Sequence, residues 1–144
     1  MTIRWLSCVE LLLMGTTMGC GNPVSSLLAE QEALADDVCP RCPQIVGADT
    51  ELSCRAALEF TITETEETCI RSVFSDNSEE LGPIFDCQLD AQRDFRACIR
   101  TAIATCPPTP SDVSACNERA TAARARCATP SSGTQAELAA CTAG

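Results

Sequence analysis

The sequence predicts an all-α fold, a small disulfide-stapled hairpin or bundle of three to four helices. Three observations carry that expectation. Twelve of the 144 residues are cysteine, near the density of a disulfide scaffold. Most of these cysteines recur with apolar residues at helical steps of three or four. Prolines and glycines punctuate the periodic segments, as helix boundaries require. The chain is one domain at most. It has no His, Tyr or Lys, a net charge of −10 and four Phe. Without histidine there is no Ser-His-Asp or Cys-His chemistry and no His metal site. An acidic chain without lysine also speaks against nucleic acid as a partner.

The first element is an export signal over residues 1–19. Arg4 precedes an apolar stretch, Leu11-Leu12-Leu13-Met14, interrupted upstream by Glu10, and small residues follow. That is the order of a secretory leader, and the stretch is too short to span a bilayer. Thr17-Met18-Gly19-Cys20, followed by Gly21-Asn22-Pro23, resembles the lipobox of bacterial lipoprotein precursors. Gly19 matches the small residue before the cysteine, whereas Thr17 and Met18 depart from the usual pattern. The resemblance implies cleavage before Cys20, diacylglycerol on its sulfur and membrane attachment through that lipid. Gly21 in place of Asp implies outer-membrane placement. The rival is Ala33-Leu34-Ala35 before Asp36, an A-x-A site for a soluble secreted protein.

Residues 20–48 read as a tether and C-x-x-C loop, with a short, acid-rich and solvated helix from Ser25 to Asp37. Prolines keep Cys39-Pro40-Arg41-Cys42-Pro43 out of a helix interior. Residues 49–144 read as the disulfide-rich helical domain. Its first segment, about Glu51 to Phe74, carries Cys54, Leu58, Ile62, Cys69 and Val73 on one helical face. A strand or break is open at Phe60-Thr61-Ile62-Thr63-Glu64-Thr65, which is rich in β-branched residues and alternates. The second runs from about Ile84 to Thr105, with Cys87, Ala91, Phe95, Cys98 and Ala102 in one stripe. Asp86 and Asp90 lie near its start and Arg93, Arg96 and Arg100 nearer its end, which suits the helix dipole. The third follows Thr109 as cap and Pro110 at the first position, with Val113, Cys116, Ala120, Ala123 and Cys127 on its face. A short last helix spans Thr134 to Cys141, with Thr134 and Glu137 as a capping box and Leu138 facing inward.

Cysteine parity supports export. Cys8 leaves with the signal, and Cys20 is either lipidated or removed. Ten remain: Cys39, Cys42, Cys54, Cys69, Cys87, Cys98, Cys106, Cys116, Cys127 and Cys141. An even number suits disulfides in an oxidising compartment. Cys87/Cys98 and Cys116/Cys127 are each eleven residues apart, about three turns plus roughly 20°. Each pair therefore points one way, and both sets are centred on Pro107, as an antiparallel hairpin requires. The geometry predicts Cys98–Cys116 and Cys87–Cys127. The arrangement resembles the twin C-x9-C helical hairpins of mitochondrial intermembrane-space proteins, with one more residue in each spacing. Cys69–Cys87 competes with this scheme, Cys54 can reach Cys98 or Cys106, and the other pairings stay open.

Function is less legible. The favoured expectation is a non-enzymatic exported envelope protein, lipid-anchored, acting by binding an unidentified protein partner or as a structural component. It has no catalytic residues, cofactor or metal. The competing expectation is a thiol redox protein using Cys39 and Cys42, with Arg41 favouring a thiolate. It lacks a βαβ context, and the favoured reading of Cys39 and Cys42 is that they bridge to other helices. Thiol-bound zinc is disfavoured because only one close Cys pair exists. Charge is uneven: residues 30–90 carry fifteen acids and three Arg, residues 91–144 four acids and six Arg. Solvated helix faces explain this, or an acidic patch whose best members are Glu64, Glu66, Glu67, Asp76, Glu79 and Glu80. A specific calcium loop is missing.

Overall fold

A computed structural model describes residues 23–58 and 62–142 of the chain. The expected export segment, Cys8, Cys20 and the Phe60-Thr61 part of the expected break lie outside the described residues. Among the described residues the architecture is all-helical, with no strand. The helices are α1 (Pro23–Val38), α2 (Glu51–Leu58), α3 (Glu64–Asp76), α4 (Ser78–Ala102), α5 (Pro110–Arg124) and α6 (Ser132–Cys141), with a 3₁₀ turn at Pro43–Val46. The bundle thus has more, shorter helices than the three to four that the periodicity suggests. Among the described residues no helix is long and apolar enough to cross a membrane.

The centre of the fold is the antiparallel α4–α5 hairpin, on which α1 lies. Thr109 caps α5 through its hydroxyl, accepting from Asp112 N, with Pro110 next in line. That local chemistry starts the helix where the sequence places it. Small residues on the facing stripes, Ala91 and Ala120, are buried and let the two backbones approach.

Helix α1 revises the expectation of a tether. Its Leu34, Ala35 and Val38 are core residues, packed with Ile99 and Ile103 from the end of α4 and the turn after it. Two of the acids that make this segment look solvated have partners on α4, more than fifty residues away, and Asp36 pairs with Arg55 on α2. Glu30 Oε2 accepts from Arg96 Nη1 at 2.5 Å, and Arg93 Nε lies 3.4 Å from Glu30 Oε1. The buried Asp37 Oδ2 sits 3.0 Å from Arg96 Nε and 3.7 Å from Arg100 Nε. It meets them through charge, off the N–H directions. Part of the charge asymmetry between the two halves of the chain is therefore complementarity inside the fold.

Three boundaries also differ. The expected helix over Glu51 to Phe74 is two helices, α2 and α3. Helix α3 starts at a capping box in which Thr63 and Glu66 exchange hydrogen bonds, satisfying two end donors. Helix α4 begins at Ser78, a turn and a half before Ile84, and holds Pro83 inside it. Pro83 is close to the helix start and leaves only one carbonyl without its helical donor. Leu81 at full burial anchors this extra turn. Helix α6 is capped by Ser131, whose hydroxyl accepts from Thr134 N, so Thr134 is inside the helix rather than its cap. Glu137 accepts from Asn77 Nδ2 at 3.1 Å instead of closing a capping box.

Candidate functional site

The sulfur framework organises the molecule. Cys39 is bonded to Cys54, Cys42 to Cys106, Cys69 to Cys141, Cys87 to Cys127 and Cys98 to Cys116, with Cα separations of 5.5–5.7 Å. These distances are ordinary for disulfides. The hairpin thus carries the two pairs that the eleven-residue spacing points to. Cys69 turns away from Cys87 to the last helix, and Cys54 pairs with neither Cys98 nor Cys106. The C-x-x-C cysteines do not bond to each other. Prolines on both sides bend the chain so that Cys39 faces α2 while Cys42 faces the α4–α5 turn. Both are almost fully buried.

That arrangement removes the basis for redox chemistry by a Cys39/Cys42 couple. A catalytic C-x-x-C alternates between a dithiol and its own internal disulfide, with one sulfur open to the substrate. Here each sulfur has a separate partner and neither is open. Many disulfides in a small chain are typical of exported proteins.

The six acids singled out from the sequence divide by role. Glu66 accepts from Thr63 N at 2.7 Å, and these backbone and side-chain hydrogen bonds from Thr63 lower its pKa below the ordinary glutamate value. Glu67 pairs with Arg71. Glu80 accepts from Ser131 N and from Thr134 Oγ1, the latter at 2.7 Å. The Ser131 backbone donor first, and then the Thr134 hydroxyl, lower the Glu80 pKa. Half of the expected patch is therefore engaged in holding the fold. Among the described residues no group of three or more His, Cys, Asp or Glu is placed to hold a metal ion.

Concave surfaces are few and of two kinds. An apolar groove of about 380 Å³ lies among α1, α3, α4 and α6, lined chiefly by Val24, Leu27, Leu28, Ile70, Phe85 and Leu138. Its polar margin is Gln31 and Gln92. These belong to a relay in which Gln92 donates to Gln31, Gln31 to the Leu58 carbonyl, and Arg124 to Gln92. The relay ties α1, α4 and α5 and satisfies the buried amide, as burial demands. Arg124 also stands over the Phe95 ring at 5.9 Å. Two polar clefts of about 470 and 550 Å³ flank the hairpin, with Cys98, Cys116 and Arg119 in both.

No protein-family model, curated protein or solved structure matches the chain. The class is therefore set by architecture alone: a small, disulfide-stapled, all-α protein.

Proposed function

We propose that the chain is an exported component of the bacterial cell envelope, anchored by lipid on Cys20 and acting by binding or structure rather than catalysis. The observation that carries this reading is that all ten cysteines downstream of residue 20 are engaged in five disulfides. A thiol framework of this kind is made and kept in an oxidising compartment. The lipobox-like Thr17-Met18-Gly19-Cys20 supplies the route out and the anchor. Helix α1 begins at Pro23, so an anchor on Cys20 leaves a spacer of about 10 Å even when extended. The domain would sit close against the bilayer.

The test is the intact mass of the native protein purified from its own host, before and after reduction and alkylation. The reading expects a chain starting at Cys20 with added acyl mass, and ten thiols that appear only on reduction. The same ten thiols on a lipid-free chain starting at Asp36 would make it a soluble secreted protein. A full-length chain with free thiols or bound zinc would overturn the export reading.

A further inference from the structure

Five bridges hold the molecule, but their exposure to solvent differs. Cys39, Cys42, Cys54, Cys116, Cys127 and Cys141 are buried, and Cys69, Cys87 and Cys98 are half-buried. Cys106 alone of the described half-cystines is exposed. It lies in the turn between α4 and α5, next to Pro107-Pro108, with the Gln44 side-chain oxygen 3.5 Å from its sulfur. Its partner, Cys42, has no exposed surface. This bridge spans 64 residues, and among the described residues it is the one disulfide between the α1–α2 unit and the α4–α5 hairpin. Cys39–Cys54 closes within the former, Cys87–Cys127 and Cys98–Cys116 within the latter, and Cys69–Cys141 joins α3 to α6.

From this we infer that Cys42–Cys106 is the thiol-exchange site of the protein, a latch opened selectively by external dithiols. Exchange requires a thiolate to reach a disulfide sulfur, so access selects both the bridge and the atom attacked. The thiolate of the dithiol bonds to Cys106 Sγ, the Cys106–Cys42 bond breaks, and its electron pair leaves on Cys42 Sγ, which takes a proton from water. The second thiol of the reagent then attacks its own sulfur in the mixed disulfide and expels Cys106 as a thiolate. The dithiol is oxidised to its disulfide, and Cys42 and Cys106 end as two thiols.

Opening this latch frees the turn over residues 104–109 without dismantling the bundle. Leu34 and Val38 still pack on Ile99 and Ile103, and four bridges remain. Cys42 stays in the core, so exchange with an external disulfide, which is itself reduced to its dithiol, re-forms the same pair. The inference concerns the folded domain and is independent of whether Cys20 is acylated.

The experiment is graded reduction of the folded full chain with limiting dithiothreitol, acid quench, alkylation and mapping of the labelled cysteines by fragmentation. The expected result is labelling of Cys42 and Cys106 about tenfold faster than of any other cysteine, because access controls the exchange rate. Helicity should be unchanged at that stage. Glutathione in place of the dithiol should leave its adduct on Cys106. Cys106→Ser should abolish the early-labelled thiols that the dithiol releases. Cys98 lines two clefts along the hairpin, so its bridge is the competitor. First opening of Cys98–Cys116, simultaneous opening of all five bridges, or a glutathione adduct on Cys42 would each overturn the inference.

Discussion

The two ends of the bundle are held together differently. At the C-x-x-C end, sulfur is part of the core. Cys39, Cys42, Cys54 and Cys116 pack with Leu34, Val38, Ile99 and Ile103 in one cluster. At the α3–α6 end, Cys69 and Cys87 are half-buried and their partners Cys141 and Cys127 buried, but these bridges lie outside that cluster, beside an apolar groove. The hydrophobic contribution there is Leu81, Val24 and an edge-to-face pair of Phe74 and Phe85 with centroids 5.2 Å apart. Hydrogen bonds from α6 to Glu80 and Asn77 add to it. The contrast teaches that a disulfide has two physical roles in one small protein. Buried, it replaces the large side chains the chain lacks. Outside that cluster, it acts chiefly by restricting the unfolded chain.

The contrast is sharpest in paired cysteine-to-serine variants. Cys39→Ser with Cys54→Ser should have the largest effect. Loss of the short loop costs about 3 kcal/mol, and each orphaned hydroxyl in the core adds about 1–3 kcal/mol. The sum, about 5 kcal/mol or more, approaches the whole stability of a small domain, so denaturant titration should find little cooperative unfolding. Cys69→Ser with Cys141→Ser opens a longer loop, of 72 residues in sequence, and should cost about 4 kcal/mol. Its signature is local, because α6 packs chiefly on α3. Amide exchange in α6 should accelerate while the hairpin stays protected. If the second double variant proved the more damaging, sulfur would not be part of the core at the first end.

Leu81→Ala probes the apolar side of the weaker end. The side chain is fully buried, and its truncation should cost about 3 kcal/mol in chemical denaturation. Ser131→Ala removes the α6 cap and should cost about 1 kcal/mol. Protonation of Glu80 should produce the smallest change. The Glu80 pKa is lowered by hydrogen bonds it receives in the folded state. Its contribution is therefore complete above the ordinary glutamate value of 4.5 and is lost as the pH falls through the lowered one. Amide exchange of α6 should speed up below about pH 4.5 in the native chain. Glu80→Gln should show the faster exchange already at neutral pH and little further change on acidification.

The hairpin was legible because its information is local and symmetric. Eleven-residue spacings, a Thr-Pro start and alanine stripes all agree on one geometry. Helix α1 was not legible as core, because Glu30 and Asp37 find their arginines on α4, and no local pattern announces a partner so far along the chain. The partners of the C-x-x-C cysteines were left open for a related reason. The partner of Cys42 sits in a proline turn with no periodicity to mark it. Pro83 and Thr134 misplaced two helix starts. In each case a tertiary contact, Leu81 in the core or Thr134 on Glu80, outweighs the local signal. The function of the groove has no sequence signature at all, since its lining comes from four helices.

The measurement that tests this account most directly is a disulfide map of the native protein, from proteolysis without reduction followed by mass analysis of the linked peptides. The account predicts Cys39–Cys54, Cys42–Cys106, Cys69–Cys141, Cys87–Cys127 and Cys98–Cys116, with no free thiol among these ten. A Cys39–Cys42 bond, or free thiols at these positions, would contradict it.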